Sequence, residues 1–131
     1  MIGPIRQDQD YHHFADGRAF LGVENAADTL SSLALLVVGV FGLFVLWRDR
    51  ASGGSTRFVA PEEVLPYRAF FCAVALTGLG SAYYHLAPDD ARLVWDRLPM
   101  AAAFMSLLAA VIVERVSVRA GTRLLFPLIA L

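Results

Sequence analysis

Long apolar runs separated by short charged segments dominate the chain. Runs without Asp, Glu, Lys or Arg cover 29–47, 69–86 and 98–113, and another run begins at 124 and reaches the last residue. A bilayer core of roughly 30 Å is crossed by about 20 apolar residues in a helix. With their flanks, the first three runs reach that length. The pattern therefore predicts an all-α integral membrane protein with helices over 29–47, 67–86 and 92–115, and the start of a fourth over 123–131.

Capping and turn residues set the predicted ends of these helices. Residues 1–28 form a polar lead-in, and Asp28 is predicted to be the N-cap of the first helix. Asp89 and Asp90 suit the start of the third helix, because acidic side chains near a helix N-terminus are stabilising. Gly121 is expected to break the helical pattern before the last apolar run.

The last apolar run is too short to cross a bilayer. Its eight residues at 124–131 would span about 12 Å as a helix. The chain is therefore interpreted as a single transmembrane domain, about three to four helices long, and as the N-terminal half of a longer domain. The polar lead-in lacks the apolar segment of a cleavable signal peptide, so the first apolar run is expected to remain as an anchor.

Composition and charge add an expected orientation. Hydrophobic residues make up 57% of the chain, and the formal net charge of −1 does not indicate a nucleic-acid partner. The single Cys72 allows no disulfide within the chain, and its side chain is expected to be buried. More Arg lie on the side of the loop after helix one than on the side of the lead-in, which favours the N-terminus outside. The first group is Arg48, Arg50, Arg57, Arg68, Arg115, Arg119 and Arg123, and the second is Arg6, Arg18, Arg92 and Arg97.

Three polar residues in or beside the apolar runs are the candidate site. Ser81 and His85 are four residues apart, so a helix places them on one face, and Asp96 follows after the turn. His85 and Asp96 lie at similar distances from that turn, hence at similar depth in a helical hairpin. Imidazole and carboxylate are zinc ligands, and zinc activates water and polarises carbonyls. Ser81 would then hydrogen-bond the developing oxyanion or position the water.

Helix packing explains the same residues without any chemistry. Small residues such as Gly78 and Gly80 let membrane helices approach closely, and Ser81 lies among them. His85 would then hydrogen-bond at the headgroup level, and Asp96 would pair with Arg92 or Arg97. One imidazole and one carboxylate do not complete a catalytic zinc site, which typically has three protein ligands. The residues alone leave both interpretations open.

Four sequence blocks resemble the CREST superfamily of membrane proteins, which includes alkaline ceramidases and progestin/adiponectin-type receptors. The blocks are YHHFADGR at 11–18, NAADTLSS at 25–32, GLGSAYYH at 78–85 and WDRLP at 95–99. The chain is most similar to the bacterial ceramidase-like members. The resemblance implies a seven-helix fold in a bacterial inner membrane and zinc-dependent hydrolysis of an amide bond in a ceramide-like lipid. The alternative interpretation is a non-catalytic membrane protein, receptor-like or structural, in which the same zinc site pins the helices together.

The resemblance also assigns roles to residues. His85 and Asp96 correspond to zinc ligands, and Ser81 corresponds to the catalytic-site serine. The two further ligands of the family come from a His-x-x-x-His motif on its last helix. This sequence lacks that motif, because its other His residues are the adjacent pair His12 and His13.

A calcium site before and in the first helix is a second expectation from the resemblance. Alkaline ceramidases hold calcium there with acidic and amide groups, and Asp16, Asn25 and Asp28 offer the hard oxygen ligands that calcium prefers. Asp10 and Glu24 are further oxygen donors in the same segment. The competing interpretations are local: an N-cap role for Asp28, a solvated or interfacial pair for His12 and His13, and interfacial aromatic residues for Tyr83, Tyr84 and Trp95.

Overall fold

The structure, a computed structural model, describes residues 8–13, 19–23, 25–51 and 58–131. Within these ranges the chain forms four α-helices and two short 3-10 helices, and no β-strand is present beyond one isolated bridge. The predicted all-α bundle is confirmed. The α-helices are α1 (Ala26–Ala51), α2 (Val64–Leu86), α3 (Asp90–Arg115) and α4 (Val118–Ile129), and the 3-10 helices are Gln9–His12 and Pro61–Glu63.

The first three helices are long and apolar enough to cross a membrane. Large apolar side chains cover their outer faces, as at Val37, Phe41 and Phe104, which are all more than 60% exposed. Such a surface is unfavourable in water and suits the hydrocarbon of a bilayer. The predicted membrane protein is therefore confirmed at this level, with α2 packed against both α1 and α3.

Two glycines of α2 explain how closely the helices approach. A Cβ on Gly78 would lie 2.5 Å from the backbone nitrogen of Leu36 and 2.9 Å from the carbonyl oxygen of Ser32, both on α1. A Cβ on Gly80 would collide with the carbonyl of Trp95 on α3. Backbone therefore packs against backbone on both sides of α2, as expected for small residues in membrane helices.

The turn between α2 and α3 is fixed by a cap. Asp89 has extended backbone angles, and its side chain accepts a hydrogen bond of 2.8 Å from the backbone nitrogen of Arg92. This is the usual N-cap geometry, and Asp90 occupies the first turn. The predicted role of the acidic pair at the start of the third helix is confirmed.

Two predicted boundary roles are wrong. Helix α1 begins at Ala26, so Asp28 lies inside the first turn and is not the N-cap. The residue before the helix is Asn25, whose carbonyl accepts from the backbone nitrogen of Thr29. Gly121 does not break the fourth helix. It is buried inside α4, where the space of its missing side chain is taken by Val113 and by the carbonyl of Ala109 on α3.

Three predicted side-chain environments also differ. Cys72 is exposed on the outside of α2 rather than buried. Tyr84 is 2% exposed and belongs to the interior, because its ring lies under the N-terminal segment; Tyr83 and Trp95 are exposed, as expected for interfacial aromatics. His12 is not a solvated residue, since both of its ring nitrogens contact side chains of the helical hairpin.

Candidate functional site

The candidate site lies at the end of the bundle where α1 begins, α2 ends and α3 begins. Asn25, just before α1, ties two of these helices together, because its side-chain nitrogen donates to the carbonyl of His85 at 3.0 Å. Asn25 has a φ of 48°, a left-handed conformation that Asn adopts more readily than most residues. The chain therefore enters α1 in a conformation that aims the Asn25 amide at the end of α2.

Ser81 is joined to a second serine that the sequence did not single out. Its hydroxyl is 3.0 Å from the hydroxyl of Ser32 on α1, and both residues are less than a tenth exposed. Ser32 also lies 2.9 Å from the carbonyl of Asp28, one turn earlier in α1. A hydroxyl has one proton and two acceptor lone pairs, so Ser32 can connect Ser81 to the backbone of α1.

Asp96 is buried on α3 and its two carboxylate oxygens differ in environment. The residue is 7% exposed. Its Oδ2 lies 3.7 Å from Nε of Arg97, so one of the two predicted ion pairs is present, whereas Arg92 is 3.4 Å from Asp89. Its Oδ1 is buried with no hydrogen-bond partner among the residues that the structure describes. A buried carboxylate oxygen without such a partner is costly.

His85 and Asp96 belong to facing helices that touch beside them. Gly80 contacts the Trp95 carbonyl and lies one residue before Ser81, and Trp95 lies one residue before Asp96. His85 follows Ser81 by one turn and is in the last turn of α2, and its Nδ1 is buried from solvent. The structure therefore brings the three predicted residues to one end of one helical hairpin.

The N-terminal segment closes this end of the bundle. Nδ1 of His12 is 2.8 Å from the hydroxyl of Tyr84, and Nε2 is 3.0 Å from Oδ1 of Asp90. The guanidinium of Arg97 lies 5.5 Å from the ring centre of Tyr11, a cation–π distance. His12 and Tyr11 therefore hold the segment against α2 and α3, beside the candidate residues.

The sequence offered only weak signals for these additional residues. Ser32 lies in the opening turns of α1, where a Ser is ordinary, and nothing in the pattern specifies which α2 residue it faces. His12 is part of a His pair in a polar segment, and its neighbour His13 is exposed. Thr29, whose Oγ1 is buried without a partner among the described residues, gave no signal.

The donor types at this end suit zinc, and His85 and Asp96 are the candidate ligands among the described residues. Among residues 8–13, 19–23, 25–51 and 58–131, no three His, Cys, Asp or Glu side chains are grouped closely enough to hold a metal ion. Imidazole nitrogen and carboxylate oxygen are both zinc ligands, and the partnerless Oδ1 of Asp96 is the observation that fits an ion. A metal held here would need ligands besides His85 and Asp96.

The predicted calcium ligands are only partly described. Asp16 and Glu24 lie outside the described residues. The side-chain nitrogen of Asn25 is engaged by the His85 carbonyl, which leaves its side-chain oxygen as the group that a cation would use. Asp28 is half-buried in the first turn of α1. The calcium site stays a prediction.

Comparisons with known proteins add no further identification. No protein-family model matches the chain, and no curated protein or solved structure matches it. What the chain does must therefore be argued from the buried polar residues at the α2–α3 turn.

Proposed function

We propose that this protein is a zinc-dependent membrane hydrolase that cleaves an amide bond in a ceramide-like lipid. The proposal depends most on Asp96, a buried carboxylate whose Oδ1 has no hydrogen-bond partner among the described residues. A membrane protein places an ionisable side chain inside an apolar helix at a cost, so function is the default explanation. The resemblance in the four sequence blocks supplies the reaction.

The roles of the residues follow from their chemistry. His85 and Asp96 would hold the zinc together with further ligands. The ion, when bound, polarises the amide carbonyl and activates a water. Ser81 donates a hydrogen bond to the oxygen on which negative charge develops, while it accepts one from Ser32, whose single proton then points to Ser81 and not to the Asp28 carbonyl. Water adds to the carbonyl carbon, the carbon–nitrogen bond breaks, one proton of the water passes to the amine nitrogen, and after proton exchange a fatty carboxylate and a protonated amine leave.

A lipid substrate suits the position of this end of the bundle. The site residues lie within a few residues of the polar turn at 87–89, while the helices below expose apolar side chains. An acyl chain can lie along that apolar surface while the amide reaches the polar end. This position supports a lipid substrate, and the ceramide-like amide is what the resemblance implies.

A second candidate function is a non-catalytic receptor-like or structural membrane protein in which the same residues pin the helices. The polar contacts across helices favour it. Ser32 bonds to Ser81, Asn25 bonds to the His85 carbonyl, and His12 bonds to Tyr84. Each of these contacts stabilises the arrangement of helices without any reaction, and a zinc ion at His85 and Asp96 would add a further link.

The proposed orientation places the N-terminus outside a bacterial inner membrane. It depends on the larger number of Arg on the side where α1 ends, α2 begins and α3 ends. Single-cysteine variants in a Cys72→Ala background test it. Gln9→Cys should react with a membrane-impermeant maleimide in intact cells, and Ser117→Cys should react only after lysis. The reverse pattern would reject this orientation.

Zinc content and amide hydrolysis together test the proposal. The protein is purified in detergent as its native host produces it, zinc is measured by mass spectrometry, and release of fatty acid from a fluorescent ceramide is followed. His85→Ala and Asp96→Ala should lower the zinc content by at least half and abolish hydrolysis. His13→Ala, which changes an exposed His, is the matched control and should change neither.

The two candidate functions give different results. Bound zinc that depends on His85 and Asp96, without cleavage of amide lipids, would support the structural role over the hydrolase. Zinc content that is unchanged in both variants would reject the metal site in either role. Ser81→Ala separates them further, because it should abolish hydrolysis while the zinc content is kept.

A further inference from the structure

A cavity lies at the opposite end of the bundle from Ser81, His85 and Asp96. Its volume is about 600 Å³, within the usual range for sites of small molecules. It is formed by the end of α1, the start of α2, the segment before α2 and one residue of α4. Its lining includes the apolar residues Leu46, Phe58, Val64 and Leu65. From Ser32 to Asp49 along α1 the distance is about 25 Å, so this cavity is separate from the candidate site.

The depth of the cavity matches the boundary between hydrocarbon and water. Leu46 is the last buried apolar residue of α1, and the exposed Trp47 follows it at the position of an interfacial aromatic. Asp49 and Arg50 follow two and three residues after Trp47 and also line the cavity. One wall therefore runs from apolar to charged within a single turn of helix, as required for a ligand with a polar head and an apolar tail.

Side chains of both charges line the polar part of the cavity. Arg50 and Arg68 each contribute a guanidinium, and Asp49 and Glu62 each contribute a carboxylate. The four charges sum to zero, so an anion would gain no net attraction from them. A ligand that carries one positive and one negative group can meet both kinds of side chain.

We propose that this cavity binds a phospholipid with a phosphoethanolamine headgroup. Arginine is well suited to phosphate, because its planar guanidinium can donate two parallel hydrogen bonds to phosphate oxygens. The ammonium of the headgroup donates to the carboxylates of Asp49 and Glu62. The acyl chains leave along Leu46, Val64 and Leu65. The site is a lipid-binding site on the Arg-rich side of the membrane and does not depend on the proposed hydrolysis.

Native mass spectrometry of the full chain in detergent tests the proposal. The protein is titrated with dioleoyl phosphatidylethanolamine, and the fraction of lipid-bound protein is measured. The double variant Arg50→Gln, Arg68→Gln should bind this lipid at least tenfold more weakly than the unmodified chain. Arg119→Gln is the matched control, because this exposed Arg lies on the same side of the membrane but does not line the cavity, and binding should be unchanged.

A second variant keeps the test informative if the double variant folds poorly. Val64→Trp fills the cavity without changing any charge, and it should weaken binding by a similar factor while far-ultraviolet circular dichroism shows the same helix content. Binding that survives both Val64→Trp and the loss of the two Arg would overturn the proposal. An equal loss in Arg119→Gln would also overturn it, since binding would then follow general surface charge.

Three related ligands test which parts of the lipid the cavity recognises. Dioleoyl glycerol has the tails without the headgroup, glycerophosphoethanolamine has the headgroup without the tails, and dioleoyl phosphatidylglycerol replaces the ammonium with an uncharged group. Each should bind at least fivefold more weakly than dioleoyl phosphatidylethanolamine. Equal binding of any one of them would reject the assigned ligand, because it would show that the missing group is not recognised.

Discussion

Ser32 and Ser81 form a buried hydrogen bond of 3.0 Å between α1 and α2. The pair lies directly beside the place where Gly78 lets the two backbones meet, because a Cβ on Gly78 would lie 2.9 Å from the carbonyl of Ser32. Close backbone approach therefore brings two short side chains within hydrogen-bond distance. The Ser81 hydroxyl, which the sequence suggested as a catalytic group, is therefore held against Ser32 of α1.

A double-mutant cycle on this pair should show a small positive coupling. Ser32→Ala and Ser81→Ala are each expected to lower the free energy of unfolding by about 1 kcal/mol, with a coupling of about 0.6 kcal/mol, the average for such bonds in a membrane bundle. Unfolding in mixed micelles, followed by circular dichroism, measures it. Ser31→Ala is the control, since Ser31 is exposed and its hydroxyl donates to the Asp28 carbonyl of its own helix. No coupling between Ser32 and Ser81 would contradict the bond.

Replacing Gly80 should separate α2 from α3. A Cβ there collides with the Trp95 carbonyl, which is backbone and cannot move as a side chain can. Gly80→Ala is therefore expected to cost about 1–3 kcal/mol in the free energy of unfolding, the usual range for overpacking. Ala101→Val, which adds methyl groups at an exposed position of α3, should cost little. A cost in free energy of unfolding as small for Gly80→Ala as for Ala101→Val would show that α2 and α3 have room to adjust.

The helices themselves could be predicted from the sequence, because apolar length is a property of each segment alone. The small residues around Ser81 also predicted close packing, and Gly78 and Gly80 confirm it. The ends of the helices were less predictable. Helix α1 continues past Trp47 to Ala51, since Arg48, Asp49 and Arg50 extend a helix into water as easily as they end one.

Contacts between segments that are far apart in the chain could not be predicted. His12 reaches Tyr84 and Asp90 across more than 70 residues, and Ser32 reaches Ser81 across 49. Each depends on the rotation of one helix against another, which hydropathy does not specify. The grouping of Ser81, His85 and Asp96 at one end was predictable, since helix periodicity and a short turn determine it.

Removing the imidazole of His12 should release the N-terminal segment. His12→Phe keeps a ring of similar size but removes both contacts, to Tyr84 and to Asp90. Opening of residues 8–13 should become about fivefold more favourable, equivalent to about 1 kcal/mol for the lost hydrogen bonds. Hydrogen–deuterium exchange of this segment measures the change. His13→Phe alters an exposed neighbour and should leave the exchange rate of residues 8–13 unchanged. If His13→Phe also made exchange faster, the increase would not be due to the loss of the His12 contacts.

An Arg near the middle of α1 should prevent its insertion. Val38 is more than half exposed on α1 and is distant from both ends of the helix. A charged residue at the centre of a membrane helix costs about 2.5–3.5 kcal/mol on insertion scales. Val38→Arg should therefore lower insertion in a glycosylation-reporter assay, while Trp47→Arg, near the end of the apolar run, should have a much smaller effect. Similar values for the two would place α1 outside the membrane.

Replacing Asp96 should raise stability while removing function. The residue is 7% exposed, and its Oδ1 has no hydrogen-bond partner among the described residues, so the folded protein carries the cost of a buried carboxylate. Asp96→Leu removes that cost and is expected to increase the free energy of unfolding in the presence of a chelator by about 1–3 kcal/mol. Asp10→Asn, at an exposed position, is the control and should change nothing.

Added zinc should stabilise the unmodified protein but not the Asp96→Leu variant. Unmodified protein should gain stability with added Zn²⁺, because a ligand that binds only the folded state stabilises it, whereas Asp96→Leu should show no gain. Thermal unfolding with and without Zn²⁺ compares the two proteins. If Asp96→Leu is destabilised in chelator, the carboxylate is satisfied in the apo protein. That result would assign Asp96 to helix packing. A carboxylate that is buried to bind a metal should instead lower the free energy of unfolding when the metal is absent.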